Sequence, residues 1–174
     1  MALGQEYNVF GDWFLIHFTE NPGMAFGLEF SGDYGKLILS LFRIIAITVL
    51  LVYMYNITRH KVSNLVLVSL SLVLAGAIGN MIDSAFYGLI FSESTYFETA
   101  TFLPPEGGYA TFLHGKVVDM LYFPIVDGTY PEWIPWLGGS QFQFFRPVFN
   151  IADSSITIGV VMMVLFQKEF FGKK

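Results

Sequence analysis

Carboxylates are the side chains of this sequence best suited to acid–base chemistry, because the chain has no cysteine and only three scattered histidines. Asp119 and Asp153 each lie in a short polar cluster beside apolar sequence. Two carboxyl groups held together in a dry site cannot both ionise cheaply, so one serves as general acid and the other as general base. Such a pair could direct water against a peptide bond, and we predict neither a metal site nor a cofactor.

The two carboxylates differ in their predicted surroundings. Asp153 stands near the start of an apolar run of helix length, and the positive end of a helix favours an ionised carboxylate. Asp119 lies between Val118 and Met120 in a predicted strand or loop, so we expect it to hold the proton of a pair that titrates as a unit. Taken singly, Asp153 could be a helix-end charge and Asp119 an acid at a strand edge.

Four polar clusters fall at the same predicted level of the molecule: Asn21-Pro-Gly-Met-Ala-Phe-Gly27, Gly79-Asn-Met-Ile-Asp83, Gly115-Lys-Val-Val-Asp119 and Phe149-Asn-Ile-Ala-Asp153. Asn80 and Asp83 are three residues apart and share a helix face, as do Asn150 and Asp153. Each Asn could orient a neighbouring group. Two alternatives stay open: the first cluster could be only a turn, and Asp83 could be a helix-end carboxylate satisfied by its neighbours.

The elements that must position these clusters are membrane helices. Apolar residues make up 54% of the 174 residues and charged residues 13%, against about a quarter in soluble domains. We predict a mainly α-helical membrane protein with a bundle of three transmembrane helices, at residues 37–56, 62–83 and 149–167. The net charge of −5 leaves no basic surface for a nucleic-acid partner.

Basic residues predict the orientation of these helices. Arg59, His60 and Lys61 lie between the first two, and the tail 168–174 contains three lysines. Such residues mark cytoplasmic ends, so we place segments 1–36 and 84–148 outside, as a small region of strands and loops. Within it, residues 13–18 and 117–123 alternate in polarity as short strands do. Residues 1–174 are read as one membrane domain.

An outer N-terminal segment needs something to carry it across the membrane. Residues 1–28 have no basic residue before their apolar stretch, and residues 9–18 are too short for a span. We therefore expect an upstream membrane helix that this sequence lacks, with unassisted transfer as the alternative. Arg43, the one charge in the first apolar run, is interpreted as snorkelling or pairing with a lipid phosphate rather than as catalytic.

In the order and spacing of its four clusters, the chain resembles the lipoprotein signal peptidase (signal peptidase II) family of intramembrane aspartic proteases. The likeness covers residues 10–166. It implies a catalytic pair, Asp119 and Asp153, and a set of residues that shape or support the site: Asn21, Gly23, Asn80, Asp83 and Asn150.

The resemblance also implies a substrate and a place. Enzymes of this family cut a prolipoprotein before a cysteine that carries diacylglycerol, using water and the Asp pair. The implied location is the bacterial inner membrane, with several membrane passes, membrane lipids as further partners and an active site at the outer, periplasmic side.

Three features depart from the family pattern. The family has four membrane helices, and its first, which carries an Asp and a Lys, has no counterpart here. Ser84 stands where the family usually has Arg, so a supporting ion pair is absent or supplied elsewhere. Residues 89–114 are a longer stretch than expected, and we hypothesise that this insert is a mobile lid that excludes water over the cleft.

Two other functions are compatible with intramembrane acids. A small transporter or channel subunit could use Asp119 and Asp153 to bind a cation or relay protons, and a structural subunit could use the polar clusters to hold helices together. A transporter would be expected to place its acids near the midplane and often to show repeated halves. Here the acids sit at one predicted boundary and the sequence has no internal repeat.

Overall fold

Two long helices dominate the computed structural model, which describes residues 1–22, 33–144 and 146–171. They are α1 (Asp33–Ile57) and α2 (Asn64–Ile90), and both are long and apolar enough to cross a bilayer. Helices are therefore confirmed at the first two predicted positions. Ile38 and Phe42 on α1 are each 66% exposed in the protein alone, a surface that lipid rather than water would solvate.

Helix α2 is longer than predicted. It begins after Ser63, whose hydroxyl accepts a hydrogen bond from the backbone N–H of Leu65, and it continues beyond residue 83 to Ile90. The prediction that an outer strand and loop segment starts at residue 84 is therefore wrong. Residues 84–90 contain no Pro and are mostly apolar, so nothing in them stops the helix before Phe91, which is extended.

The third predicted helix, at 149–167, is divided. Phe149 belongs to a strand, α3 covers Ile151–Leu165, and a short helix α4 (Gln167–Phe171) follows after a break at Phe166. Fifteen residues are fewer than the roughly 20 that a bilayer-spanning helix needs. Among the described residues, only α1 and α2 meet that length on their own.

A small antiparallel sheet lies beside the helices. Its strands are β1 (Glu6–Phe10), β2 (Phe14–Asn21), β3 (Val117–Tyr122) and β6 (Val148–Phe149), in the order β1-β2-β3-β6. Strands β2 and β3 confirm those predicted at 13–18 and 117–123, whereas β1 was not predicted individually. A separate hairpin joins β4 (Val126–Thr129) to β5 (Gln141–Phe144). The sheet brings polar clusters from three distant parts of the chain side by side.

Small residues let α2 and α3 approach closely. A Cβ placed on Gly76 would lie 2.2 Å from the carbonyl oxygen of Ala152, and one on Gly159 would lie 2.6 Å from that of Ser69. Neither position tolerates a side chain without movement of backbone. The contact at Ala152 fixes the first turn of α3, which carries Asp153, against α2.

The insert 89–114 is hydrogen-bonded onto the end of α2. The backbone N–H groups of Leu103, Ala110 and Gly115 donate to the carbonyls of Ile90, Gly88 and Ser84, at 2.7, 2.8 and 2.8 Å. The carbonyls of Gly88 and Ile90 lie in the last turn of α2, where no helical N–H follows to bind them, whereas Ser84 lies further back in the helix. The insert therefore covers the end of α2 and leads directly into β3.

Candidate active site

Asp119 lies on the buried face of β3 and is only 3% exposed. Two amides bind its carboxylate from different elements. Asn21, at the end of β2, donates from Nδ2 to Oδ2 at 3.2 Å, and Asn150 donates from Nδ2 to Oδ1 at 2.8 Å. Both carboxylate oxygens therefore accept a hydrogen bond, as a buried polar group requires.

Asp153 is held in the first turn of α3 by a reciprocal capping box. Its backbone N–H donates to Oδ1 of Asn150 at 2.8 Å, and its Oδ2 accepts from the backbone N–H of Asn150 at 3.4 Å. The other carboxylate oxygen, Oδ1, accepts from Nδ2 of Asn80 on α2 at 2.7 Å. The cap fixes the orientation of the carboxylate, while α2 supplies a third hydrogen bond.

Asn150 joins the two carboxylates. Its Nδ2 donates to Asp119 and also to Oδ1 of Asn80 at 3.0 Å, and Asn80 in turn donates to Asp153. A continuous hydrogen-bonded path thus runs from Asp119 through two amides to Asp153. Amides neither gain nor lose a proton at ordinary pH, so they hold both carboxylates whichever of the two is ionised.

Burial and charge repulsion act on Asp119 in the same direction. Loss of hydration is the main cause, and the neighbouring Asp153 adds repulsion; together they outweigh the amide hydrogen bonds and raise the pKa of Asp119 to about 6, from an ordinary 3.8. Asp119 therefore binds a proton more readily than an exposed aspartate does. That Asp119 holds the proton of the pair stays a prediction.

Asp83 supports the strand rather than the carboxylate pair directly. From α2 it accepts hydrogen bonds from the backbone N–H of Val118 and from the hydroxyl of Tyr87. Val118 directly precedes Asp119, so this contact ties β3 to α2 beside the site. Asp83 is also close enough for electrostatic repulsion to act on Asp119.

Arg43 is a site residue that the sequence interpretation missed. Its Nη1 donates to Oγ of Ser84 at 3.1 Å, and its charge acts on Asp153. Interpreting it as only a snorkelling or lipid-binding side chain is therefore wrong. The missed signal is a polar stripe on α1: Lys36, Ser40 and Arg43 are spaced as neighbours on one helix face, and the first two donate to the carbonyls of His114 and Leu113.

Five of the seven predicted site residues meet in one hydrogen-bonded cluster: Asn21, Asn80, Asp119, Asn150 and Asp153. Asp83 is not part of this cluster, because it binds the backbone of Val118 on β3 instead. Gly23 falls outside the described residues. Next to the cluster, Lys116 pairs with Glu20 at 2.8 Å and with Glu93 at 3.5 Å, linking β3, β2 and the insert. The arrangement can hold one proton between two fixed carboxylates.

The sequence is similar to those of known proteins over nearly its whole length. The family described as signal peptidase (SPase) II matches residues 1–168. A lipoprotein signal peptidase of Porphyromonas gingivalis is 50% identical over 166 residues, which cover 95% of this chain and 71% of that protein. A lipoprotein signal peptidase of Amoebophilus asiaticus is 40% identical, with 94% of this chain and 65% of that protein covered.

Solved structures show the same fold. A bacterial membrane enzyme determined by the in meso method at 2.3 Å resolution superposes with a TM-score of 0.56 at 25% identity, covering 100% of this chain and 77% of that one. A second bacterial membrane enzyme, determined in the same way at 1.9 Å, has a TM-score of 0.55. The helices and sheet described above therefore have the same fold as these two membrane enzymes.

Proposed function

Since this chain belongs to the signal peptidase II family and is a protease that removes signal peptides from lipoproteins, we propose that Asp119 and Asp153 are its catalytic pair. Family membership leaves the transporter and structural-subunit alternatives without support. The observation that carries the proposal is the path of amide hydrogen bonds that joins the two carboxylates through Asn150 and Asn80.

In the proposed mechanism Asp153 is the general base and Asp119 the general acid. Asp153 takes a proton from water while the water oxygen bonds to the scissile carbonyl carbon, and Asp119 gives its proton to the carbonyl oxygen. When the tetrahedral intermediate collapses, the C–N bond breaks and the leaving nitrogen takes a proton from Asp153. The diol proton returns to Asp119, which restores the pair.

The position of each carboxylate supports these roles. Asp153 stands at the positive end of α3, held there by the capping box, and Asp119 is buried with a pKa of about 6. Asn21, Asn80 and Asn150 keep both groups oriented through the proton transfers, and Asp83 holds β3. We assign Gly23, with Asn21, to the binding of the substrate backbone.

We further propose the substrate and the membrane arrangement. The substrate is a prolipoprotein, cut before a diacylglyceryl-modified cysteine, in the bacterial inner membrane. The basic residues at 59–61, between α1 and α2, support a cytoplasmic location for this connection and therefore a carboxylate pair at the outer, periplasmic side. Helices α3 and α4 together form a third crossing, because their combined length approaches the roughly 20 residues needed.

Substitution by Asn tests the carboxylate pair. An amide keeps the shape and some hydrogen bonds but cannot exchange the proton, so Asp119→Asn and Asp153→Asn should each lower the cleavage rate by at least about 100-fold. Asp83→Asn is the matched control and should retain measurable activity, because it only supports the strand. The rate is measured as signal-peptide release from a diacylglyceryl-modified prolipoprotein, using full-length protein at equal amounts in the membrane.

Either Asn variant of the pair cleaving at near the parental rate would show that the carboxylates have another role. The unmodified prolipoprotein, tested in parallel, should be cleaved far more slowly if the lipid is part of what the site recognises. Equal rates on the two substrates would contradict recognition of the diacylglyceryl group but would not contradict the catalytic role of the Asp pair.

A further inference from the structure

Arg43 carries a positive charge in the middle of α1, where a charge is costly unless it has a partner. The side chain is half-buried and points towards α2 rather than lipid, since its Nη1 lies 3.1 Å from the Ser84 hydroxyl. Ser84 itself is only 2% exposed. The guanidinium therefore ends inside the protein, between two helices.

The partner of this side chain, Ser84, lies next to Asp83 on α2 and is bonded to the segment that leads into β3. The carbonyl of Ser84 accepts the backbone N–H of Gly115, which leads into β3 and Asp119. Asp83, which precedes Ser84, binds the backbone of Val118. On the other side, the charge of Arg43 acts on Asp153 at the start of α3. The charge of Arg43 thus reaches Asp153, and its partner Ser84 is bonded to the segment that leads into β3 and Asp119.

We propose that Arg43 is a positioning residue of this active site: anchored on Ser84, its charge stabilises the singly ionised state of the Asp119–Asp153 pair. The inference rests on the proposed catalytic role of those two aspartates. It also accounts for a charge in α1 and for a Ser at position 84, because the small hydroxyl leaves room for a guanidinium that arrives from the neighbouring helix.

The ionisable groups around the pair belong to several elements. Within the described residues, α2 contributes Asp83 and its partner Tyr87, β3 contributes Asp119, α3 contributes Asp153, and α1 contributes Lys36 and Arg43. The Lys116–Glu20 ion pair lies next to them, at the start of β3 and on β2. Lys36 lies about two turns before Arg43 on α1 and donates to the His114 carbonyl, so its charge faces the insert. Without Arg43, less positive charge would offset the negative charge of the ionised carboxylates. Each of the two ionisations of the Asp119–Asp153 pair would then occur at a higher pH.

The test is the pH profile of kcat for Arg43→Gln and Arg43→Lys. Both limbs of the profile report ionisations in the enzyme–substrate complex. For Arg43→Gln we expect both limbs to move to higher pH by at least about half a unit, kcat to fall about 10-fold or more and KM to change little. Arg43→Lys keeps the charge and should restore the parental profile. Arg59→Gln, which removes a cation beyond the far end of α1, is the control and should change neither.

A profile of Arg43→Gln that coincides with the parental one would overturn the inference, whatever its rate, because a packing role alone does not move the limbs. If Arg43→Gln fails to accumulate in the membrane, Ser84→Ala takes its place: it keeps the charge but removes the anchor. We expect a smaller shift in the same direction, and an unmoved profile would overturn the inference as well.

The Asn variants of the pair, assayed in the same preparation, separate this inference from the function on which it rests. If Asp119→Asn and Asp153→Asn are inactive while the limbs of Arg43→Gln stay in place, only the role of Arg43 fails. If the Asn variants cleave at near the parental rate, the catalytic pair itself fails.

Discussion

Asn150 connects the chemistry of the site to its scaffold. One side chain caps α3 through its oxygen and binds Asp119 through its nitrogen, so the helix and the strand are positioned by the same group. A charged residue in this place would titrate with the carboxylates or oppose one of their states. An amide avoids this and still satisfies buried polar atoms, which are costly to leave unpaired.

Asp119 should make the stability of the protein depend on pH. Its pKa is about 6 in the fold against an ordinary 3.8, so between these values the unfolded chain binds fewer protons than the folded one, and stability falls as the pH rises. Asn at this position does not titrate. The stability of Asp119→Asn relative to the parent should therefore increase from about pH 4 to pH 7, by at most about 3 kcal/mol.

Chemical unfolding in detergent micelles at several pH values measures this difference. Glu98→Gln, which removes an exposed carboxylate of the insert, is the control for the loss of one acidic group. A constant gap between Asp119→Asn and the parent from pH 4 to pH 7 would contradict the raised pKa of Asp119.

The sequence allowed prediction of the carboxylate pair and of its three Asn partners, because their types and spacing carry the chemistry. It did not allow prediction of the partner of Arg43. That contact joins positions 41 residues apart on different helices, and only the packing of α1 on α2 brings them together. The polar stripe that begins at Lys36 was visible, but a stripe on one helix does not say what it faces.

At the level of elements, the contact between α2 and α3 sets the position of Asp153. Gly76→Ala would place a methyl group against the carbonyl of Ala152, and the helices would have to separate. We expect a loss of about 1–3 kcal/mol in unfolding free energy and a lower cleavage rate, because Asp153 is the next residue. Gly79→Ala is the milder control: its Cβ would lie 3.2 Å from the Cβ of Ala152.

Thermal unfolding and cleavage rate, measured on both variants, test this contact. The larger effect should belong to Gly76→Ala in both measurements. If Gly76→Ala matches the parent in stability and rate, then close approach of the two helices is not what holds Asp153 in place.

The tip of the insert should matter more for turnover than for folding. Phe97 is 95% exposed and Tyr96 74%, whereas residues 103–115 are bonded to α2. Replacing residues 95–100 by a short Gly-Ser link keeps those bonds and removes the exposed aromatic tip, the part that we propose closes over the substrate. Steady-state kinetics should show a lower kcat with nearly unchanged thermal stability, and unchanged kinetics would exclude the lid.

Element boundaries were the least predictable part of the fold. Apolar runs indicated where helices lie, but α2 continues through residues 84–90 because the insert satisfies its last carbonyls, a long-range effect. At Phe149 a distant segment shortens a helix instead. The apolar run predicts that the third helix begins here, but Phe149 pairs with β3 and belongs to strand β6. Strand pairing and helix capping by distant segments cannot be derived from hydropathy alone.

At the level of the whole molecule, the orientation in the membrane can be measured directly, because the chain has no native cysteine. Single cysteines at Lys61, Glu106 and Lys174 report three regions. A membrane-impermeant thiol reagent added outside intact spheroplasts should label position 106 and neither of the others, since basic residues stay in the cytoplasm. Protection of position 106, with all three labelled after lysis, would contradict an outer active site.

The central claim is that Asp119 and Asp153 act as one acid–base unit, and the most direct test compares both single Asn variants with the double variant. Groups that work as a unit are not additive, so removing the second should cost little once the first is gone. With equal membrane-inserted amounts and one diacylglyceryl-modified prolipoprotein, we predict a loss of at least about 100-fold for each single variant and nearly the same rate for the double. Losses that multiply in the double variant, or either single variant cleaving at near the parental rate, would contradict the account.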